Sequence, residues 1–121
     1  MHQSVTLVGY LGKDPEQRFT PQGTAVASFS VATSRKYKGE SETTWWRVSV
    51  WGNQAEACAT YLHKGDPVLV VGRLTPDPET GNPRIWKHKD GTPDASYEIS
   101  AQSVKFLPGG SGEVESEEVP F

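Results

Sequence analysis

Short apolar runs separated by turn residues dominate the chain, and the runs alternate with a period of two. Ser4 to Leu11 reads as a strand, with Gly9 as a bulge or bend. Residues 13–24 hold two prolines and a Pro-Gln-Gly turn, which predicts a loop or short hairpin arm. From Ala25 to Ala32, Ala25, Ala27, Phe29 and Val31 share one face, with Ser28 and Ser30 on the other. Residues 34–43 are polar and charged and predict a protruding hairpin loop. Thr44 to Gly52 is the most informative strand. Trp45, Arg47, Ser49 and Trp51 fall on one face and Trp46, Val48 and Val50 on the other.

Asn53 to His63 is the one good helix candidate. Asn53 is in a capping position, Glu56 stands three residues on, and Gly65 lies past the end. Ala55, Cys58, Ala59 and Leu62 form its apolar stripe. Pro67 to Leu74 predicts a strand with Val68, Val70 and Leu74 inward. Residues 75–96 are turn-rich, and a last strand begins near Tyr97 and ends near Leu107. This order, five strands with one short helix between the third and fourth, predicts an all-β OB-fold, a partly open barrel. The pattern alone also fits a five-stranded sandwich. Phe19 and Phe29 are expected in the core, although Phe19, beside Arg18, could also reach a ligand.

The 121 residues suit one domain, here 1–108, followed by a Gly/Ser linker and acidic tip at 109–121 that lack apolar periodicity and read as disordered. Charge sharpens that boundary. All 12 Lys and Arg and 11 of the 15 Asp and Glu lie in 1–108, which therefore carries +1. Glu113, Glu115, Glu117 and Glu118 give the tail −4. The overall −3 thus understates how well the body suits an anionic partner, and the local arrangement of charge becomes the relevant quantity. No apolar run approaches a membrane span, the N-terminus lacks a signal-peptide layout, and Cys58 has no disulfide partner. These features predict a soluble, cytoplasmic protein that does not engage membranes.

Binding of single-stranded nucleic acid needs cations along the phosphates and flat aromatic faces under the bases. That mixture occurs three times: Arg35-Lys36-Tyr37-Lys38, Trp45 and Trp51 flanking Arg47, and Arg84-Ile85-Trp86-Lys87-His88-Lys89. Alternatively, the tryptophans are core and the cations are solvated loop residues, but a core face would not usually include Arg47. Trp46 has the opposite parity and is assigned to packing, in the core or between subunits. Catalytic chemistry finds little support, and no cofactor or metal is expected. Cys58 lies on the helix's apolar stripe and does not share a face with His63. His2, His63 and His88 lack metal-ligand spacing. Asp14 and Glu16 read as turn residues. The tip Glu117-Glu118-Val119-Pro120-Phe121 fits either a solubilising tail or a segment docking into a basic and apolar partner pocket.

The chain resembles the bacterial-type single-stranded DNA-binding protein family. The stretches that carry the resemblance are Val8-Gly9-Tyr10-Leu11-Gly12-Lys13-Asp14-Pro15-Glu16, Val31-Ala32-Thr33-Ser34 and Trp45-Trp46-Arg47-Val48-Ser49-Val50-Trp51-Gly52, followed by Ala55-Glu56, Tyr61-Leu62-x-Lys64-Gly65, Val71-Gly72-Arg73-Leu74 and Glu118-Val119-Pro120-Phe121. They occur in order over nearly the whole chain. The resemblance implies an OB-fold homotetramer, nucleoid-associated, that wraps single-stranded DNA without strong sequence preference in replication, recombination and repair. It implies base stacking on Tyr37, Trp45, Trp51 and Trp86, the residues that parity and neighbouring cations select. Arg35, Lys36, Lys38, Arg47, Arg73, Arg84, Lys87 and Lys89 are then expected to contact phosphates. The family's acidic C-terminal tip, which docks onto replication and repair enzymes, matches Glu117 to Phe121. The linker here is much shorter than is usual in the family, and residues 75–82 form an expanded approach to Trp86.

Overall fold

The computed structural model describes residues 1–108. The element order is β1 (Val5–Leu11), β2 (Glu16–Phe19), β3 (Ala25–Tyr37), β4 (Glu40–Trp51), α1 (Asn53–Tyr61), β5 (Pro67–Leu74), β6 (Ile85–Lys87), β7 (Pro93–Ala95) and β8 (Tyr97–Phe106). Five of these strands make the barrel, in the spatial order β1-β5-β8-β4-β3, and it closes where β3 pairs with β1. The helix follows the third barrel strand, as expected, and the all-β OB-fold reading holds over the sandwich. Among the described residues, no helix is long and apolar enough to cross a membrane.

The long hairpin of β3 and β4 organises the rest. Its antiparallel register runs from Val26 opposite Trp51 to Tyr37 opposite Glu40. Pairs such as Ala27–Val50, Phe29–Val48 and Val31–Trp46 share one face, which becomes the barrel interior. Ser28–Ser49, Ser30–Arg47 and Ala32–Trp45 share the other, which faces outward. Val68, Val70 and Ile99 complete the interior from β5 and β8. Among the described residues, no polar or charged side chain is buried.

Closure depends on a close approach between β1 and β3, whose pairing consists of Tyr10–Ala32 and Leu11–Val31. A Cβ on Gly9 would lie 2.2 Å from the Ala32 carbonyl oxygen and 2.9 Å from Val31 Cγ1. Only a residue with no side chain lets the strands converge there. The α1 helix packs Ala55 and Cys58 against the core, and Leu62 just beyond its end is buried as well. Gln54 ties the helix to β8. Its Nε2 donates to the Gln102 carbonyl at 3.0 Å, and its Oε1 accepts from the Val104 N–H at 2.9 Å.

Several sequence expectations change. Residues 34–43 are not a loop. The strands stay paired to the tip and reverse through Lys38 and Gly39, with φ of 52° and 82°, the positive values of a two-residue hairpin turn. Asn53 does not cap the helix. Gly52 occupies that position with φ 75°, and its carbonyl accepts from the Ala55 and Glu56 N–H groups. Phe19 is exposed rather than core, because β2 is an edge strand with every residue exposed. Leu74 faces inward opposite Ile99, yet at the rim of the barrel it remains exposed. The turn-rich stretch contains the β6–β7 hairpin, a separate two-stranded sheet.

Gly9→Ala is expected to lower unfolding stability by about 1–3 kcal/mol, because the clash is with backbone that cannot rotate away. Thr6→Ala, exposed on the same strand, should stay within about 0.5 kcal/mol. Urea denaturation of the two variants checks this, and an unchanged midpoint for Gly9→Ala would mean that the seam is looser than described.

Candidate nucleic-acid interface

The outward face of β4 carries Trp45, Arg47, Ser49 and Trp51 in sequence order. Trp45 is 54% exposed and Trp51 46%, although both lie on the central hairpin of the barrel. The exposure follows from parity, since Val48 and Val50 take the interior positions between them. Opposite Trp45, Arg47 and Ser49 the neighbouring strand offers small side chains outward, Ala32, Ser30 and Ser28, so Trp45 and Arg47 stand beside a low floor. Trp45 is fixed from below by Gly12. A Cβ there would sit 2.5 Å from its Cζ3 atom, so the indole lies against bare backbone. Across β2, β3 and β4, Arg18, Val26 and Trp51 stand opposite one another, and Val26 is buried beneath them.

Trp46 takes the inward parity and packs against the core. Its indole N–H donates to Thr33 Oγ1 at 2.9 Å, and its ring lies 4.9 Å from that of Tyr97 at an interplanar angle of 32°.

A groove of about 560 Å³ runs across the outward face. It brings together Arg47 from β4 and Arg84 and Trp86 from beside and within β6, residues distant in sequence. Lys13 and Arg18 also line it, and neither was singled out from sequence. Arg18 lies within 13–24, where the sequence predicts a loop or short hairpin arm. Only the pairing of β2 onto β3 turns it toward the groove. Asp14, Glu16 and Glu98 line the same groove, so its charge is mixed. Asp14 has a structural task, since its Oδ1 accepts from the Lys64 N–H at 2.8 Å.

The β6–β7 hairpin presents Trp86 opposite Asp94. Trp86 is half-buried and meets the His88 ring edge-on at 4.8 Å, and His88 Nε2 lies 2.9 Å from Asp94 Oδ2. The Ala95 N–H, then His88, hold the Asp94 carboxyl below its usual range. Lys87 falls on the hairpin's opposite face, with Ile85, and Lys89 lies near the turn. Arg73 sits on the outer side of β5 opposite Ser100, which in turn stands opposite Ser49 of β4.

Tyr37 is well exposed near the tip of the β3–β4 hairpin, apart from the groove. Arg35 Cζ is 5.9 Å and Lys38 Nζ 5.4 Å from its ring centroid. Arg35 Nε also meets Glu42 Oε2 at 3.0 Å. That pair is solvent-exposed and so contributes little to stability. Parity puts Arg35 and Tyr37 on one side of the hairpin and Lys36 on the side of Trp45. Sequence reasoning also passed over Tyr97, which is 57% exposed at the start of β8. The predicted tip, Glu117 to Phe121, lies outside the described residues.

Among the described residues, no group of three or more His, Cys, Asp or Glu could hold a metal ion. Burial pushes the Cys58 thiol up to about 11 from a usual 9.0. It therefore stays neutral at physiological pH and is a poor nucleophile. In the unfolded chain the thiol ionises first as pH rises, so its contribution to stability is lost between about 9 and 11. Cys58 should resist a thiol-reactive disulfide reagent at pH 8 in the native protein and react fully in urea. Rapid native labelling would show that the helix end opens readily.

The family model described as "Single-strand binding protein family" matches residues 2–107. Single-stranded DNA-binding protein 3 of Clostridium acetobutylicum is 44% identical over 110 residues, which cover 88% of this chain and 72% of that protein. The single-stranded DNA-binding protein of Clostridium tetani is 41% identical over 110 residues, with 88% and 71% covered. That of Chlamydia caviae is 36% identical over 109 residues, with 90% of this chain and 63% of that protein covered.

Proposed function

This chain belongs to the single-strand binding protein family, and from that premise we propose that it binds single-stranded DNA without reading its sequence. It is a non-enzymatic DNA-binding protein, in keeping with its family. The observation that carries the proposal is the outward face of β4. Two large aromatic rings would cost least if buried, yet they stand half-exposed on either side of an arginine. Each face can hold a base by stacking, which is worth about 1–3 kcal/mol and is indifferent to base identity.

In this reading, bases stack on Tyr37, Trp45, Trp51 and Trp86. Phosphates meet Arg35, Lys36, Lys38, Arg47, Arg73, Arg84, Lys87 and Lys89, to which the groove adds Lys13 and Arg18. The strand crosses the serine-rich floor of β3 and β4, where small hydroxyl side chains let a polynucleotide lie close to the sheet. Stacking supplies most of the affinity, because the domain as a whole is nearly neutral. The chain assembles as a homotetramer and protects DNA in replication, recombination and repair. Residues 109–121 serve as a linker and tip, with Glu117, Glu118, Val119, Pro120 and Phe121 recruiting partner enzymes. The family match over residues 2–107 and the named relatives support the DNA-binding part of this reading, and for 117–121 the support is composition, since acidic residues beside Val119, Pro120 and Phe121 are what a basic, apolar pocket would accept.

Titration with an oligothymidine should quench tryptophan fluorescence, while duplex DNA of equal length should not. Affinity should fall with salt at a log–log slope of about −0.7 per phosphate neutralised. Trp45→Ala and Trp51→Ala should each weaken binding by about 1–3 kcal/mol, whereas Arg47→Ala should also flatten the salt slope. Wild-type affinity in both tryptophan variants would rule out stacking on β4.

A further inference from the structure

A second cleft, about 570 Å³, opens beside the groove and is mostly apolar. It forms at a fork. β4 and β8 pair in parallel from Trp46–Tyr97 to Ser49–Ser100, and on the N-terminal side of Trp46 and Tyr97 the two chains part. Thr43, Thr44 and Trp45 line one side of the opening, Ala95, Ser96 and Tyr97 the other, and Pro83 completes the lining. The size falls within the roughly 300–1,000 Å³ of small-molecule sites.

Four features indicate what this cleft takes. Its lining is aromatic and apolar, with hydroxyls as its main polar side chains. Hydroxyls donate or accept, so they suit the edge of any base. Tyr97 is 57% exposed although its ring packs against that of Trp46, 4.9 Å away and tilted by 32°, so the tyrosine is braced yet remains open to solvent. Trp45 belongs both to the cleft and to the outward face of β4, so the cleft continues the interface already described. Lys and Arg are absent from its lining, in contrast to the groove. A site for a phosphate would need them, whereas a site for an uncharged ring would not.

We propose that this fork is a nucleobase slot in which one base of the bound strand, adjacent to the one on Trp45, inserts against Tyr97. The slot rests on the single-stranded DNA reading given above and adds a stacking platform to it. Tyr97 supplies the flat surface, Pro83 and Ala95 exclude water, and the hydroxyls of Thr43, Thr44 and Ser96 satisfy the base edge. The adjoining sugar and phosphate remain outside, toward Arg47 and Arg84 in the groove.

The test compares Tyr97→Ala, Tyr97→Phe, Ala95→Glu and Thr92→Glu with wild type and Trp51→Ala in oligothymidine titrations. Tyr97→Ala should weaken binding about 10-fold, a loss in the range of one base–aromatic stack, and Tyr97→Phe should restore it. Ala95→Glu fills the cleft from an exposed position outside the core, so it tests the slot even if loss of Tyr97 disturbs the packing of Trp46. It should weaken binding several-fold more than Thr92→Glu, which adds the same charge to the same segment outside the cleft. An oligonucleotide carrying photoreactive 5-iododeoxyuridine should cross-link to Tyr97. If Trp51→Ala loses affinity while Tyr97→Ala, and Ala95→Glu relative to Thr92→Glu, do not, the slot is wrong and the wider reading stands. If the wild type fails to bind the oligothymidine, both fall.

Discussion

The pairing register of β3 with β4 is the constraint on which the rest depends. Along the barrel part of this ladder, from Ala27–Val50 to Ala32–Trp45, the inward pairs contribute to the core and the outward pairs to the face that carries Trp45 and Arg47. Phe29 against Val48 and Val31 against Trp46 are inside, and Ser30 against Arg47 and Ala32 against Trp45 are outside. A slip of one residue would exchange the two sets. Valines would face water, and Arg47 would enter an interior where, among the described residues, no charge is buried. The hydrophobic effect that builds the barrel therefore also fixes the orientation of Trp45 and Trp51. Fold and site share one energetic origin.

Closure of the barrel sets the second level of organisation. The β1–β3 seam has few pairs and relies on Gly9 for close approach. It also carries the end of β1 to Gly12, which supports the Trp45 indole. A stacking platform gains from such support, because an indole already held in place loses less rotamer freedom when a base arrives. Trp46 and Tyr97 are arranged in a comparable way, one ring braced by the other and anchored through Thr33. Trp45 is thus backed by bare backbone and Tyr97 by another ring, and both remain exposed.

The groove of this nearly neutral domain is itself mixed in charge. Lys13, Arg18, Arg47 and Arg84 gather there with Asp14, Glu16 and Glu98. Asp14 is engaged with the Lys64 backbone and steadies the turn that follows β1. Cations placed among carboxylates attract phosphates less strongly than an all-basic track would.

Much of the architecture was legible in the sequence. Alternation in Ala27–Ala32 and Thr44–Gly52 reports which side meets the core, because burial penalises exceptions, and so the exposure of Trp45 and Trp51 and the packing of Trp46 could be read directly, whereas the burial of Val26 on the outward side beside Trp51 could not. The stripe of Ala55, Cys58 and Leu62 marked the helix for the same reason. Other features had no local signal. Gly52 replaces Asn53 at the helix start because the chain turns there with a positive φ. Phe19 is exposed because β2 lies at the sheet edge. The groove gathers Lys13, Arg18, Arg47 and Trp86 from four separate stretches, and the fork at Tyr97 exists only where two strands distant in sequence begin to pair. Alternation is enforced residue by residue, so the sequence by itself determined the main barrel strands, their buried faces and which of the β4 tryptophans stand outward. Juxtaposition depends on strand order, closure and edge position, which arise from contacts between distant segments, and only the tertiary structure decided which cations and rings share a surface.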